Sequence, residues 1–198
     1  MRAQANALAA DIALDRGDAA KAAELGLLAL TPALESRMRE TYASAWLTRV
    51  HALRRSGHLA QARSELARLR SWSDAAPQPF DHLRVVLGEA DQAIAEDQST
   101  LALGLYGDAM GLANARGIPD ETVMVGAPYV QALIDAGWTD EAVSVNGRIA
   151  PWADRDVRAA LTEARVYTAL GKTLAADSSL RRARQRAGER QLSPIVSR

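Results

Sequence analysis

The sequence contains no cysteine, a single phenylalanine and no net charge, and each of these shortages narrows the possible structures and functions. Without cysteine, the chain can form neither a disulfide nor a thiolate metal site. Its 24 basic residues are balanced by 24 acidic ones, unlike the basic excess typical of nucleic-acid-binding domains. We therefore predict no direct contact with nucleic acid.

Long hydrophobic runs are also missing. A membrane-spanning helix needs about 18 or more consecutive apolar residues, and no such run occurs. Asp11 interrupts the first apolar stretch, so the N-terminus does not fit a signal peptide. We predict no membrane segment and a cytoplasmic location. Because a helical pattern starts almost at once, we expect the chain to be part of a longer protein.

The apolar residues that are present are mainly alanine and leucine. They belong to a 48% hydrophobic fraction in which aromatic residues contribute only 5%. Alanine, leucine, arginine and glutamate favour helices, whereas strands favour β-branched and aromatic residues. The composition therefore predicts an all-α fold.

A turn residue followed five positions later by alanine recurs along the chain. Three intervals between turn residues are 40 residues and the last is 34. A fixed period of this size indicates a repeat architecture, here about five antiparallel helix pairs. The turn residues are Gly17, Gly57, Asp97, Gly137 and Gly171, and the alanines are Ala22, Ala62, Ala102, Ala142 and Ala176.

Proline and aspartate set the predicted boundaries. Thr31-Pro32 is expected to open a long helix that ends at Gly57, and Pro128 to kink or split the seventh helix. Asp120 and Asp154 are the predicted N-caps of the seventh and ninth helices. These boundaries give a single domain, 1–190, with a tail at 191–198; its repeats are about 3–34, 35–76, 79–118, 120–150 and 154–188.

This frame of turn glycine and small residue resembles the tetratricopeptide repeat (TPR), with Trp46 and Tyr106 near positions where that family favours aromatic residues. The resemblance implies a right-handed α-helical superhelix that acts as a non-catalytic scaffold for protein binding. The period of about 40 residues departs from the family's 34 and resembles the repeat arms of bacterial regulators. It therefore implies the sensory or regulatory arm of a larger protein, active in signal transduction or transcription regulation.

In the TPR family, the first helix of each pair lines a concave groove, and the resemblance assigns residues to it here. One row is Asp11, His51, Asp91, Gln131 and Arg165; beside it lie Ser44, Arg84, Met124 and Arg158, with Arg54 and Arg55 nearby. Arginine offers a fork of donors to carboxylates, so the groove could hold an acidic peptide, a terminal carboxylate or another anion. The alternative is an ordinary solvated surface. The candidate groove residues are His51, Arg54, Arg84, Asp91, Gln131, Arg158 and Arg165.

No pattern of catalytic or metal-binding residues competes with this reading. Gly171-Lys172-Thr173 looks like the end of a phosphate loop, but Val166 stands where another glycine is needed and the preceding segment is helical. The three histidines lack metal-ligand spacing. We predict no metal, no cofactor and no enzymatic activity.

Two other side-chain groups have alternative interpretations. The arginines between 181 and 190 could contact phosphate, although a solvated helix face is the simpler interpretation. Trp138 and Trp152 lie beside turns, where they could form a ligand platform or pack the fourth pair against the fifth.

Two alternative functions remain open. A small molecule or peptide could bind in the groove, next to Leu87, Met124, Ile134 and Arg84. Alternatively, the chain could self-associate through one end, for example as a homodimer, because its first helix pair begins without a capping helix.

Overall fold

The computed structural model describes residues 1–188 and 190, and in these residues every regular element is helical. The described part forms two compact units. Unit 1 (Met1–Glu96) contains α1 (Arg2–Asp15), α2 (Ala19–Glu35), α3 (Arg39–Arg55), α4 (Leu59–Ala75) and α5 (Pro79–Ala95). Unit 2 (Asp97–Gly188) contains α6 (Ser99–Arg116), α7 (Pro119–Asp135), α8 (Thr139–Ile149), a 3-10 turn (Ala150–Trp152), α9 (Val157–Ala169) and α10 (Thr173–Ala187).

The all-α repeat fold is confirmed. Consecutive helices pack against each other within each unit, and so do helices two apart: α1 with α3, α3 with α5, and α7 with α9. The prediction of one domain covering 1–190 stays a prediction, and the predicted tail, 191–198, lies outside the described residues.

The predicted turn positions adopt the left-handed backbone that lets one helix stop and the next reverse. Gly17, Gly57, Gly137 and Gly171 have φ between +68° and +82°, and Asp97 has φ +59°. Glycine has no Cβ to clash in this conformation. From α2 to α7 the helices are 17 or 18 residues long, so each helix and its turn occupy about half of the 40-residue period.

The predicted helix start at Thr31-Pro32 is wrong, because α2 continues through Pro32 to Glu35. Proline has no N–H to donate to the carbonyl four residues earlier, which here belongs to Leu28. The Asn6 side-chain amide donates to that carbonyl instead, at 3.3 Å. The actual turn comes at Arg37, whose φ of +54° is left-handed without being glycine.

Further boundary predictions are wrong. Pro128 does not split α7, which is continuous from Pro119 to Asp135, and the alternative that it kinks the helix stays a prediction. The N-cap of α7 is Ile118 rather than Asp120, because Pro119 already supplies a suitable first residue. Asp156, not Asp154, caps α9 by accepting a hydrogen bond from Arg158 N.

Alanine side chains of α1 line its interface with α2, whereas the large side chain of Trp46 on α3 fills the core. Leu8 and Ile12 of α1 are 62% and 43% exposed. The buried residues of α1 are Ala3, Ala7, Ala10 and Ala13, and small side chains of this kind let α1 and α2 approach closely. Trp46 lies in the core, with its Nε1–H donating to Glu65 Oε2 at 3.0 Å.

None of the described helices is both long enough and apolar enough to cross a lipid bilayer.

Candidate functional site

A line of polar side chains runs across the first helices of unit 1, and we call it the unit-1 polar row. It consists of Asp11 on α1; Thr48, His51 and Arg54 on α3; and Arg84 and Asp91 on α5. Helix α3 packs against α1, α2, α4 and α5, so its position is fixed on several sides. The row therefore lies on a rigid support.

Asp91 is the centre of this row. Its Oδ2 lies 2.9 Å from Nε2 of His51 and 3.2 Å from Nη2 of Arg54. Arg54 also donates through Nη1 to the Gly88 carbonyl at 2.9 Å. The predicted neighbours His51, Arg54 and Asp91 are thus brought together, and the Asp91 carboxylate partly balances the charge of Arg54.

Asp11 connects the row to α1. Thr48 donates its hydroxyl hydrogen to Asp11 Oδ1 at 2.6 Å. Burial raises the pKa of the Asp11 carboxyl above its ordinary value, although the Thr48 hydrogen bond and the charges of Arg84 and His51 act in the opposite direction. The residue as a whole is nevertheless exposed. The Asp11 carboxyl is therefore only partly shielded from water.

Thr48 is a member of the row that the sequence interpretation missed. It precedes His51 by three positions, and residues three apart lie on the same face of a helix. Helical spacing could therefore have identified it.

Arg84 forms the other side of the row on α5. Its guanidinium carbon lies 4.8 Å from the centre of the Phe80 ring, a cation–π geometry. Because the charge of Arg84 also acts on Asp11, it links α5 electrostatically to α1.

In unit 2, Arg158 joins the beginnings of α7 and α9. Its Nη2 lies 2.5 Å from Asp120 and 2.5 Å from Asp156. Burial acts to lower the pKa of Arg158, but the hydrogen bonds to Asp156 and Asp120 outweigh it and the pKa is raised. Arg158 therefore has a structural partnership that the sequence interpretation did not foresee.

Arg165 on α9 differs from Arg158. Burial lowers the pKa of its guanidinium, opposed by the charge of Asp135. Among the residues that the structure describes, Arg165 forms no hydrogen bond or ion pair. A desolvated guanidinium costs free energy unless an anion or a set of acceptors joins it, so Arg165 is the predicted residue most suited to bind a ligand.

The remaining predicted groove residues are divided between surface and core. Gln131 and Met124 on α7 are half-buried, and Tyr129 of the same helix stacks against Tyr106 with ring centres 5.8 Å apart. Leu87 is only 2% exposed, so the suggestion that it lines a ligand groove is wrong. It packs in the core instead.

The phosphate-loop resemblance at Gly171 is accounted for by the turn. Gly171 has φ +68°, and Lys172 is the N-cap residue of α10. Within the described part of the chain, no three histidine or acidic side chains come close enough to hold a metal ion.

Comparison with known proteins supports the repeat architecture. Two solved structures of a Podosopora anserina protein assigned as a kinesin light chain, with nearly identical TPR-like repeats, are similar to this chain. One is a point variant; the TM-scores are 0.58 and 0.59, at 17% sequence identity. The alignments cover 93% of this chain and 94% and 93% of those chains. At this identity the similarity extends to the fold alone, which is a TPR-like helical repeat. No protein-family model and no curated protein matches the sequence.

Proposed function

We propose that this protein is a non-catalytic scaffold that binds a protein or peptide partner through its first helices. The observation that carries the proposal is Arg165, a half-buried guanidinium with no ion-pair partner in the described residues. The TPR-like fold supports it, because helical repeats expose extended surfaces suited to binding peptides and proteins. As a finer proposal, the chain serves as a regulatory arm of a larger bacterial regulator.

The two units contribute differently to this proposal. In unit 1, the polar row offers side chains that are held in place by mutual contacts, among them His51, Arg54 and Asp91. In unit 2, Arg165 offers a half-buried guanidinium that is acted on by the charge of Asp135 but forms no hydrogen bond or ion pair among the described residues. An acidic side chain or a terminal carboxylate of the partner fits Arg165, because two parallel N–H···O bonds to a carboxylate would offset the desolvation of the guanidinium.

Arg165 and Arg158 form a matched pair for testing this proposal. Both are arginines on α9, yet among the described residues only Arg158 forms ion pairs with carboxylates. Arg165→Ala should leave thermal stability unchanged or higher and weaken partner binding about tenfold or more, since a charge-assisted contact is lost. Arg158→Ala should lower thermal stability, because Asp120 and Asp156 lose their counterion.

The assay is capture of partner proteins from the source cells by the wild type and by both variants, followed by affinity measurement with each purified partner. A partner that binds the wild type and Arg165→Ala equally would contradict the role of Arg165. If only small metabolites protect the wild type against thermal unfolding, a ligand sensor replaces the scaffold as the better account.

A second candidate function is self-association through the N-terminal helix pair. The observation that favours it is the exposure of Leu8 and Ile12 on α1. Their exposed apolar surface is available for burial against another copy of the chain. Leu8→Glu should abolish any concentration-dependent dimer in equilibrium sedimentation. A monomer over the whole accessible concentration range would rule this function out.

A further inference from the structure

The turn between α7 and α8 presents a large aromatic side chain to solvent. Trp138 is 53% exposed and directly follows Gly137, whose φ is +79°. Its backbone is fixed, because Trp138 N donates to the Leu133 carbonyl at 2.8 Å. Exposed tryptophan on a well-ordered backbone is a common feature of protein interfaces, where its ring supplies contact area at low entropic cost.

The backbone of the turn does not require an indole at this position. Trp138 has φ −89° and ψ 65°, and the residues at the same place in the other sharp turns have similar angles. Those residues are Asp18, Met38, His58, Gln98 and Lys172. Since acidic, basic and neutral side chains all occupy this conformation, the fold alone does not account for tryptophan.

The surroundings of the indole are acidic. An open depression of about 310 Å³ is lined by Gly137, Trp138, Thr139, Asp140 and Glu141. Asp140 and Glu141 are exposed, and Asp135 at the end of α7 is exposed as well. Within residues 1–188 and 190, neither Asp140 nor Glu141 forms an ion pair, whereas Asp135 acts on the charge of Arg165.

Part of this acidity suits the α8 N-terminus, where negative charge is favoured by the helix dipole. That effect does not explain the neighbouring indole. Like α8, the helices α2, α4, α6 and α10 are each the second helix of a pair. None of these four helices has an acidic residue in its first turn. An aromatic face beside unpaired carboxylates has the chemistry that recognises an alkylated or guanidinium cation.

We propose that the α7–α8 turn is a docking surface for a basic segment of a protein partner. An arginine or lysine side chain of that segment lies over the Trp138 ring, and its charge faces Asp140 and Glu141. Tryptophan is the aromatic residue that binds cations best, and the carboxylates supply the complementary charge. This surface is separate from the arginine-based recognition proposed for the first helices, and it selects the opposite charge.

The test uses NMR of the four indole N–H signals in the full chain, titrated with the peptide acetyl-Gly-Arg-Gly-Arg-Gly-amide. The Trp138→Phe variant identifies the Trp138 signal. A peptide with citrulline in place of arginine is the matched control, since citrulline keeps the shape and loses the charge. The Trp138 signal should move saturably with the arginine peptide, and the citrulline peptide should bind about tenfold more weakly.

Two variants separate this surface from a general effect of exposed residues. The double variant Asp140→Asn with Glu141→Gln should weaken the arginine peptide about tenfold, because charge is lost at constant side-chain size. Leu174→Ala, which alters an 85% exposed residue at the start of α10, should leave the titration unchanged. Circular dichroism checks that each variant stays folded.

Other results would overturn the proposal. Equal binding of the arginine and citrulline peptides would show that charge is not recognised. A Trp138 signal that does not move would remove the docking surface. If instead the signal moves with protein concentration alone, and Arg181→Glu on the exposed face of α10 abolishes that change, then the occupant is a second copy of this chain rather than another protein.

Discussion

His51 on α3 and Asp91 on α5 lie one 40-residue repeat apart in sequence, and His51 Nε2 is 2.9 Å from Asp91 Oδ2. The repeat therefore brings two residues of the same register into direct contact. Because Arg54 uses the same carboxylate oxygen, at 3.2 Å, Asp91 joins two residues of one helix to the next repeat.

The first prediction concerns the coupling between Asp91 and Arg54. The Arg54 side chain is only 9% exposed, so removing its carboxylate leaves a poorly solvated charge. Asp91→Ala should destabilise the protein by about 1–3 kcal/mol. A double-mutant cycle with Arg54→Ala, measured by urea unfolding, should give a coupling free energy of about 0.5–3 kcal/mol. Strict additivity would contradict a direct interaction.

The second prediction concerns pH and Asp11. Burial raises the folded-state pKa of this carboxyl above the ordinary value of 3.8. The folded state therefore binds the proton more tightly than the unfolded state, and the resulting stability is present at low pH and lost as pH rises through the folded pKa. Asp11→Asn should remove that loss, because asparagine does not titrate. The free energy of unfolding of the variant should therefore increase relative to that of the wild type from about pH 4 towards neutrality.

The measurement is the urea midpoint of both proteins at several pH values in that window. Asp18→Asn serves as a control on the neighbouring turn, because the Asp18 carboxylate accepts the Lys21 backbone N–H and caps α2. A stability difference between Asp11→Asn and wild type that stays constant with pH would refute the prediction.

The third prediction concerns the buried carboxylate of Glu65. It accepts the Trp46 indole hydrogen at 3.0 Å and lies 3.5 Å from Nε of the buried Arg49. Glu65→Ala should destabilise the protein by about 3–5 kcal/mol, because a buried arginine loses its partner. Glu24→Ala is the matched control: its pair with Lys21 is exposed, and its effect in the same unfolding assay should stay within about 0.5 kcal/mol.

The fourth prediction concerns three helical glycines of unit 2. A Cβ at Gly104 or Gly111 on α6 would meet no atom within 4 Å, so alanine there should stabilise the protein by about 0.5–1 kcal/mol at each position. At Gly126 on α7 a Cβ would come within 2.8 Å of Ile149 Cγ2, and alanine should be destabilising. Thermal unfolding compares the three variants, and equal effects at all three would be inconsistent with this packing.

Much of the fold could be predicted from the sequence because the turns are encoded locally. Gly17, Gly57, Gly137 and Gly171 mark left-handed positions that glycine occupies without strain. Arg37 adopts the same conformation without the glycine signal, so its turn was missed and the helix start was misplaced at Pro32. The Leu28 carbonyl, which Pro32 leaves without a backbone donor, accepts a hydrogen bond from Asn6, 22 positions earlier in the sequence. No local sequence pattern reveals such a contact.

The candidate site was only partly predictable for a related reason. A register places His51 and Asp91 in one row, but it does not say which arginines already have partners. Arg158 is paired with Asp120 and Asp156, whereas Arg165 on the same helix is not paired within the described residues. Pairing depends on how neighbouring helices pack, which the spacing of residues along one helix does not determine.

Photo-cross-linking in the source cells tests the central claim, partner binding through the first helices, most directly. A benzophenone amino acid would replace Ser44 on α3 or Gln131 on α7, and, as controls on second helices, the exposed Ala67 on α4 or Gly147 on α8. Our account predicts a defined protein adduct from Gln131 that Arg165→Ala weakens, a protein adduct from Ser44, and none from the controls. Adducts from Ala67 and Gly147 alone would contradict it and move the binding surface to the second helices.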